Sequence, residues 1–234
     1  MYIIQYLFIL ILFSDLVSNE IFGGQHIKYQ ALQTDKEENS LSILSWNIKM
    51  HPPPYGWFYN SIDKAENIIK TLKESSKYDV ILFQEAFSYK IRNKIYNSLK
   101  DLYPHQIDIK DETDFYKMNS GLWVISSIPI TLIDNINFTE LRHNDWLSSK
   151  GAYLYSVIKS QQEFYIINTH MQADYRTKYS DIRTSQYTEI QQKLILPNEN
   201  SEIPLILCGD LNISKPSKLN QMLEKLNFMD GPLS

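Results

Sequence analysis

Cysteine is all but missing from the 234-residue sequence, with Cys208 the sole example. One thiol excludes an internal disulfide framework and any cysteine-built metal cluster. Cys208 ends the apolar run Pro204 to Cys208, so it reads as a buried, inert thiol. A basic excess is missing as well: 23 Lys and Arg face 27 Asp and Glu, for a net charge of -4. The chain therefore carries no general electrostatic footprint for nucleic acid, and no nucleic-acid partner is expected. No Pro, Gly or Ser-rich linker, internal repeat or low-complexity tract interrupts it. With 43% apolar residues it can bury a full core, and one domain is expected. The longest apolar stretch, Tyr2 to Val17, is short for a bilayer span and runs straight into polar Ser18-Asn19-Glu20. Residues 1–20 read as a signal peptide for secretion, with an uncleaved N-terminal anchor as the alternative. Residues 21–40 are polar and irregular and read as a linker into a domain over 41–234.

What the sequence does contain is apolar runs that end in polar motifs. Leu41 to Ser45, Val80 to Phe83, Phe164 to Ile167 and Pro204 to Cys208 have strand character. They lead into Trp46-Asn47, Gln84-Glu85, Asn168-Thr169-His170 and Gly209-Asp210-Leu211-Asn212. Ile62, Ala65, Ile68, Ile69 and Leu72 recur at helical spacing, which predicts a helix over Ser61 to Ser75. A second helix is expected over Tyr89 to Leu99 and a third over Arg183 to Leu196, stopped by Pro197. Gly121 to Ser126, Ala152 to Ser160 and Glu163 to Ile167 are further strands, the last two joined by a turn at Gln161-Gln162. The order predicts an α/β domain with helices outside sheet layers and polar motifs at strand ends.

Those residue types point to phosphodiester chemistry. Glu85 closes an apolar strand, where a carboxylate needs a cation or a donor because burying it unpaired is costly. Mg²⁺ is a fitting partner, since it takes few protein carboxylates and keeps waters that a phosphate can displace. Asn47 would offer a neutral oxygen to the same ion. Asp210 and Asn212 flank one residue, so an extended chain would point both side chains one way, Asp210 to orient a water or imidazole and Asn212 to donate to a phosphoryl oxygen. A plain Asp-x-Asn turn is the competing reading. His170 could donate to phosphate as charge develops, or serve as a structural hydrogen-bonder.

At these residues the chain resembles the endonuclease, exonuclease and phosphatase superfamily, and within it the secreted neutral sphingomyelinases. The second likeness rests on Met50 and Pro52-Pro53-Pro54, Glu85-Ala86-Phe87, Asn119-Ser120-Gly121-Leu122, His170-Met171-Gln172-Ala173-Asp174, the Arg183, Gln186 and Glu189 helix face, and Asp145 to Gly151. The resemblance implies a four-layered sandwich of two mixed β-sheets packed face to face with helices outside. It implies Glu85 and Asn47 as Mg²⁺ ligands, and His170, Asp210 and Asn212 as catalytic residues. His170 and Asn212 would also hold the substrate phosphodiester. Asp145 and Lys150 would pair to arrange an active-site loop, with Arg183, Gln186 and Glu189 supporting it. The implied reaction is hydrolysis of sphingomyelin, or a related phospholipid at a membrane surface, to ceramide and phosphocholine, by a monomer.

One departure is visible. The family places an Asp-His pair well downstream of the Gly-Asp-x-Asn motif, and no such pair occurs before Ser234. The expectation is a domain whose last strands are missing and whose turnover is impaired. A nuclease, an inositol-phosphate phosphatase and a catalytically dead lipid binder are the alternatives. The run Tyr55 to Tyr59 could rest at a membrane interface, or pack under the first helix.

Overall fold

A computed structural model describes residues 6–7, 11–12, 40–50, 61–75, 78–109, 117–175, 178–200, 202–213, 219, 222–224 and 229–230. The leader and linker expectations, and the Tyr55 to Tyr59 run, fall almost wholly outside these residues. In chain order the strands are β1 (Tyr6–Leu7), β2 (Ile11–Leu12), β3 (Ile43–Met50), β4 (Val80–Ala86), β5 (His105–Ile107), β6 (Trp123–Ser126), β7 (Ile130–Asn137), β8 (Gly151–Lys159), β9 (Gln162–His170), β10 (Leu205–Asp210) and β11 (Met229–Asp230). The helices are α1 (Ser61–Glu74), α2 (Tyr89–Leu99) and α3 (Ser180–Ile190).

Two mixed sheets carry the fold. One has the order β2-β3-β4-β6-β5 and the other β10-β9-β8-β7, while β1 and β11 pair separately. The pair β3 with β4 is parallel and so is β10 with β9, whereas β4 with β6 and β8 with β9 are antiparallel. Period-two alternation divides each strand between two layers. Val80 and Leu82 of β4 meet Tyr153, Tyr155, Ile166, Ile206 and Cys208 in a core between the sheets. Ile81 and Phe83, their neighbours in sequence, turn outward to Ile68 and Leu72 of α1 and Ile91 and Ile95 of α2. On the far side Leu154, Ile167, Leu205 and Leu207 pack against Tyr187 and Ile190 of α3. The result is helix, sheet, sheet, helix, the expected four-layered sandwich.

Helix bounds match the periodicity closely at α1 and α2 but not at α3. That helix begins at Ser180, three residues before the expected Arg183, and after Ile190 widens into a π-helical turn over Gln191–Ile195. Pro197 sits inside a following 3₁₀ turn, Leu196–Asn198. A 3₁₀ start tolerates proline, so Pro197 ends regular helix without ending the coil. Strands β5 and β7 were not marked by pattern: β5 is three residues long, and β7 alternates partly exposed with exposed positions.

Candidate active site

The C-terminal ends of β3, β4, β9 and β10 converge on one rim between the sheets. Register explains the convergence. Asn47 pairs with Gln84 across β3 and β4, and Asp210 pairs with His170 across β10 and β9. Paired residues share a face, so Asn47 and Gln84 look inward from one sheet, and His170 and Asp210 look inward from the other. Below the rim the sheets are tied by amides: Gln84 Nε2 donates to Asn168 Oδ1 at 2.7 Å and to Ser45 Oγ at 3.1 Å. Asn168 Nδ2 in turn donates to the Phe83 carbonyl at 3.2 Å. Both amides are buried, with exposures of 1% for Gln84 and 0% for Asn168.

Glu85 reaches the inward rim because its backbone departs from a strand. Regular alternation would turn it to the helix side, opposite Gln84. Instead its φ is +54°, a left-handed conformation that costs a non-glycine residue energy and is held by its surroundings. A register irregularity between Asn47 and Met50, one extra residue opposite β4, re-aims the partner strand. Gly121 supports the turn from behind. The Ala86 N–H donates to the Gly121 carbonyl at 2.9 Å. Gly121 itself has φ +70°, and a Cβ there would stand 3.0 Å from Glu85 Cα. Asn119 fixes that loop, accepting from the Gly121 N–H and donating to the Phe87 carbonyl, each at 3.0 Å. Buried Arg92 closes the turn, donating to the Ala86 carbonyl at 2.7 Å, the Phe87 carbonyl at 3.1 Å and the Asp108 carboxylate at 2.8 Å.

Within the rim, Asn47 Nδ2 donates to both Glu85 Oε1 and Asp210 Oδ2 at 2.8 Å each. The amide thus presents its nitrogen to the carboxylates, while its oxygen accepts from the Lys49 N–H at 3.0 Å. Asn47 thus stands at the expected place on the rim, with its nitrogen rather than its oxygen toward the carboxylates. His170 Nε2 lies 3.8 Å from Asp210 Oδ2 and 4.0 Å from Glu85 Oε1. One ligand atom from each of Glu85, His170 and Asp210 falls within 4.8 Å of the others.

The Asp145 and Lys150 pairing is present and buried. Lys150 Nζ meets Asp145 Oδ2 at 2.9 Å, donates to the Met171 carbonyl at 3.0 Å and lies 3.0 Å from His170 Nε2. An ammonium has only donors, so the imidazole must accept at Nε2 and carry its proton on Nδ1. Burial and the adjacent Lys150 charge hold His170 below the usual histidine range, against the pull of Asp210, Glu85 and Asp145. Burial alone would raise Asp210, but His170, the Asn47 amide, the Asn212 N–H and Lys150 together hold its carboxyl below the usual range. The site therefore offers two carboxylates and a neutral imidazole.

At Asn212 the turn reading of Asp-x-Asn holds, and the extended one does not. Strand β10 stops at Asp210, and Asn212 has φ +51°, so the two side chains are not aligned by an extended chain. The Asn212 N–H donates to Asp210 Oδ1 at 3.0 Å, an Asx turn, and its Nδ2 donates to the Met171 carbonyl at 2.9 Å. Asn212 is still at the rim, tying β10 to the chain after His170. Arg183 and Gln186 are buried rather than solvated. Arg183 Nη1 donates to the Gln172 carbonyl at 2.8 Å and Asp174 at 2.9 Å, and Gln186 Oε1 accepts from the Gln172 N–H at 3.0 Å. Glu189 instead holds Thr139 and Lys193.

Three contributors escaped the sequence. Tyr175 donates to Asp145 Oδ1 at 2.7 Å, and no motif marked it. Arg92 looks like any helix cation until Asp108 and the strand end are placed around it. Lys64 of α1 donates to the Lys49 carbonyl at 3.4 Å; burial and Lys49 push its pKa down, while Glu85 pulls it back up.

The donor set fits a hard divalent cation. Two carboxylates sharing one amide nitrogen keep like charges close, and carboxylate oxygens suit Mg²⁺ better than imidazole nitrogen does. Known proteins bear on this arrangement in three ways. The model for the Endonuclease/Exonuclease/phosphatase family matches residues 44–232. "Sphingomyelinase C 2" of Leptospira interrogans serogroup Icterohaemorrhagiae serovar Lai (strain 56601) is 27% identical over 207 residues, 80% of this chain and 33% of that protein. "Sphingomyelinase C" of Listeria ivanovii is 26% identical over 207 residues, 82% of this chain and 62% of that protein. The chain thus spans a third of the first relative and about three-fifths of the second. A crystal structure of a beta toxin variant from Staphylococcus aureus with bound magnesium ions superposes with a TM-score of 0.72, at 23% identity, over 81% of this chain and 71% of that one.

Proposed function

The chain belongs to the Endonuclease/Exonuclease/phosphatase family, and within it we propose that this chain's site serves Mg²⁺-dependent hydrolysis of sphingomyelin to ceramide and phosphocholine. The observation that carries the reading is the convergence of Asn47, Glu85, His170 and Asp210 at one rim, in a chain similar to sphingomyelinases C.

Glu85 would hold the ion, with Asn47 beside it. Bound there, Mg²⁺ supplies Lewis-acid charge stabilisation to a phosphoryl oxygen. His170 stands at the same rim, but its neutral Nε2 accepts from Lys150, so it would bind a phosphoryl oxygen there only after taking up a proton on Nε2. Lys150 adds a fixed positive charge at the same point, one that needs no reorganisation as negative charge develops. Asp210 stays ionised near neutral pH and is the group that orients the attacking water. Asn212 fixes Asp210 through its backbone N–H. Secretion to reach the lipid remains part of the proposal; among the described residues, no helix is long and apolar enough to cross a membrane.

The test is phosphocholine release from sphingomyelin vesicles by the full chain, with Mg²⁺ and with EDTA. Slow release, in line with the impaired turnover expected from sequence, that needs Mg²⁺ and disappears in Glu85→Gln is the expected result. Equal release in that variant would remove the metal assignment, and Mg²⁺ binding without release would refute the hydrolytic reading in favour of a lipid binder.

A further inference from the structure

We propose that Gln172 is a positioning residue that keeps the His170 proton on Nδ1, by clasping the turn that carries Asp145 and so fixing Lys150 against Nε2. The proposal rests on the phosphodiesterase reading of the site for its consequence, and adds the residue that sets the imidazole for its part.

Gln172 comes two residues after the end of β9 and is fully buried, at 0% exposure. A primary amide in such a place must find partners for its oxygen and for both hydrogens. It finds them on backbone. Its Oε1 accepts from the Arg142 N–H at 2.7 Å, and its Nε2 donates to the Arg142 carbonyl at 3.2 Å and the Ala173 carbonyl at 2.9 Å. The two bonds to Arg142 copy the exchange between paired strand residues, with a side chain standing in for one strand. Arg142 is the N-cap of the 3₁₀ turn His143–Leu147, so the clasp holds the start of the turn on which Asp145 stands. Gln172 is anchored in its turn by α3. Its N–H donates to Gln186 Oε1 at 3.0 Å, and its carbonyl accepts from Arg183 Nη1 at 2.8 Å.

From that turn the effect reaches His170 through two contacts. Asp145 Oδ2 accepts from the Ala173 N–H at 2.7 Å and meets Lys150 Nζ at 2.9 Å. Lys150 Nζ then lies 3.0 Å from His170 Nε2. Residues 170–173 thus bear both ends of a closed ring, the imidazole at one and the clasp at the other. The second ring nitrogen, His170 Nδ1, is buried and has no hydrogen-bond partner among the described residues. With no acceptor on that side, the bond to Lys150 decides which nitrogen carries the proton. The choice matters because Nε2 is the atom near the carboxylates, 3.8 Å from Asp210 Oδ2 and 4.0 Å from Glu85 Oε1. With the proton on Nδ1, Nε2 keeps the lone pair that would take up a proton during the reaction.

The test reads the imidazole and needs no turnover. Nitrogen NMR of the full chain, isotope-labelled at histidine and held at roughly pH 8, above the ordinary histidine range, tells a protonated ring nitrogen from a bare one. The His170 signals are assigned by their loss in His170→Gln. The wild-type chain should show Nδ1 protonated and Nε2 bare. Gln172→Met keeps the length of the side chain and removes every bond of the amide. It should give a mixture of the two tautomers and lower kcat by about tenfold to a hundredfold with KM little changed, the scale of a small misplacement away from the chemistry. In a Lys150→Met background the same change should shift the mixture no further, because the effect passes through Lys150. Ser126→Ala removes another buried hydrogen bond, 2.8 Å long to the Asp79 carbonyl where β4 begins, and should leave the tautomer as it is. Should Gln172→Met not fold, Gln172→Glu keeps the acceptor for the Arg142 N–H and should give a smaller shift of the same sign. A single Nδ1-protonated tautomer in the Gln172 variants would overturn the proposal. So would an equal mixture in Ser126→Ala, the mark of a general loosening of the fold. A wild-type chain with the expected tautomer but no release of phosphocholine would sink the hydrolytic reading and leave the positioning role standing.

Discussion

Breaking the amide bridge between Gln84 and Asn168 should loosen both the sandwich and the site above it. Asn168→Leu removes the acceptor 2.7 Å from Gln84 Nε2 and the donor 3.2 Å from the Phe83 carbonyl, at positions that solvent does not reach. Gln84 retains Ser45 Oγ at 3.1 Å, so one of its two amide hydrogens keeps a good partner. A buried polar group left without a partner costs about 1–3 kcal/mol, and the Ser45 contact argues for the middle of that range, about 2 kcal/mol. At roughly 2–4 °C per kcal/mol for a domain of this size, Tm should fall by about 4–8 °C. Gln84→Met should cost a similar amount. The two changes together leave an apolar pair of comparable shape, so the double variant should be less destabilised than the sum by about 1 kcal/mol or more. Urea unfolding of the four proteins measures that coupling, and additivity within about 0.5 kcal/mol would refute the bridge as an energetic unit. Glu85 follows Gln84 directly and His170 lies two residues past Asn168, so each single variant should also weaken Mg²⁺ binding, measurable by titration calorimetry.

Gly121→Ala should cost more than 1 kcal/mol and lower Mg²⁺ affinity, because φ is +70° and the new Cβ would meet Glu85 Cα at 3.0 Å; an unchanged Tm and affinity would remove the supporting role of that loop. Acidification should destabilise the fold in two windows. His170 is held below its ordinary 6.5, so it contributes stability above that pH that is lost as pH falls through its folded value. Asp210 is held below its ordinary 3.8, so its contribution is present above that pH and lost in stronger acid. Denaturant midpoints measured from pH 8 to 3 in EDTA check both, and a Lys150→Met variant should shift the first window upward. Cys208, buried and pushed up to about 12, should react with a thiol reagent only on unfolding; fast labelling of the native chain would contradict its place in the core.

The parts of the molecule legible from sequence share one property: each is encoded by a period or by adjacency. Alternation along Val80 to Phe83 and spacing along Ile62 to Leu72 specify strand and helix faces without reference to anything distant. The polar residue following each apolar run then locates the rim. What stayed illegible depends on bonds between segments far apart, or on backbone that leaves the regular pattern. Asp210 and Asn212 show the second case, since Asp-x-Asn alone fits both an extended chain and a turn, and only the left-handed φ at Asn212 decides for the turn. Glu85 shows why such departures collect here. Its side chain would face the helices in an unbroken strand, and only the left-handed turn, backed by Gly121 and Arg92, brings it to Asn47. Tyr175 shows the first failure. Its link to Asp145 spans 30 residues and its stacking on His143 spans 32, so neither leaves a local trace. A carboxylate as deeply buried as Asp145 nevertheless demands partners for both oxygens. Lys150 and the Ala173 N–H satisfy Oδ2, and Tyr175 satisfies Oδ1. Tyr175→Phe should therefore leave one oxygen short, costing about 1–3 kcal/mol without moving the imidazole directly. A loss of stability with unchanged His170 titration by NMR would mark Tyr175 as a support for Asp145. A shifted His170 titration would mean that the phenol acts on the site through the whole chain of bonds from Asp145 to Lys150.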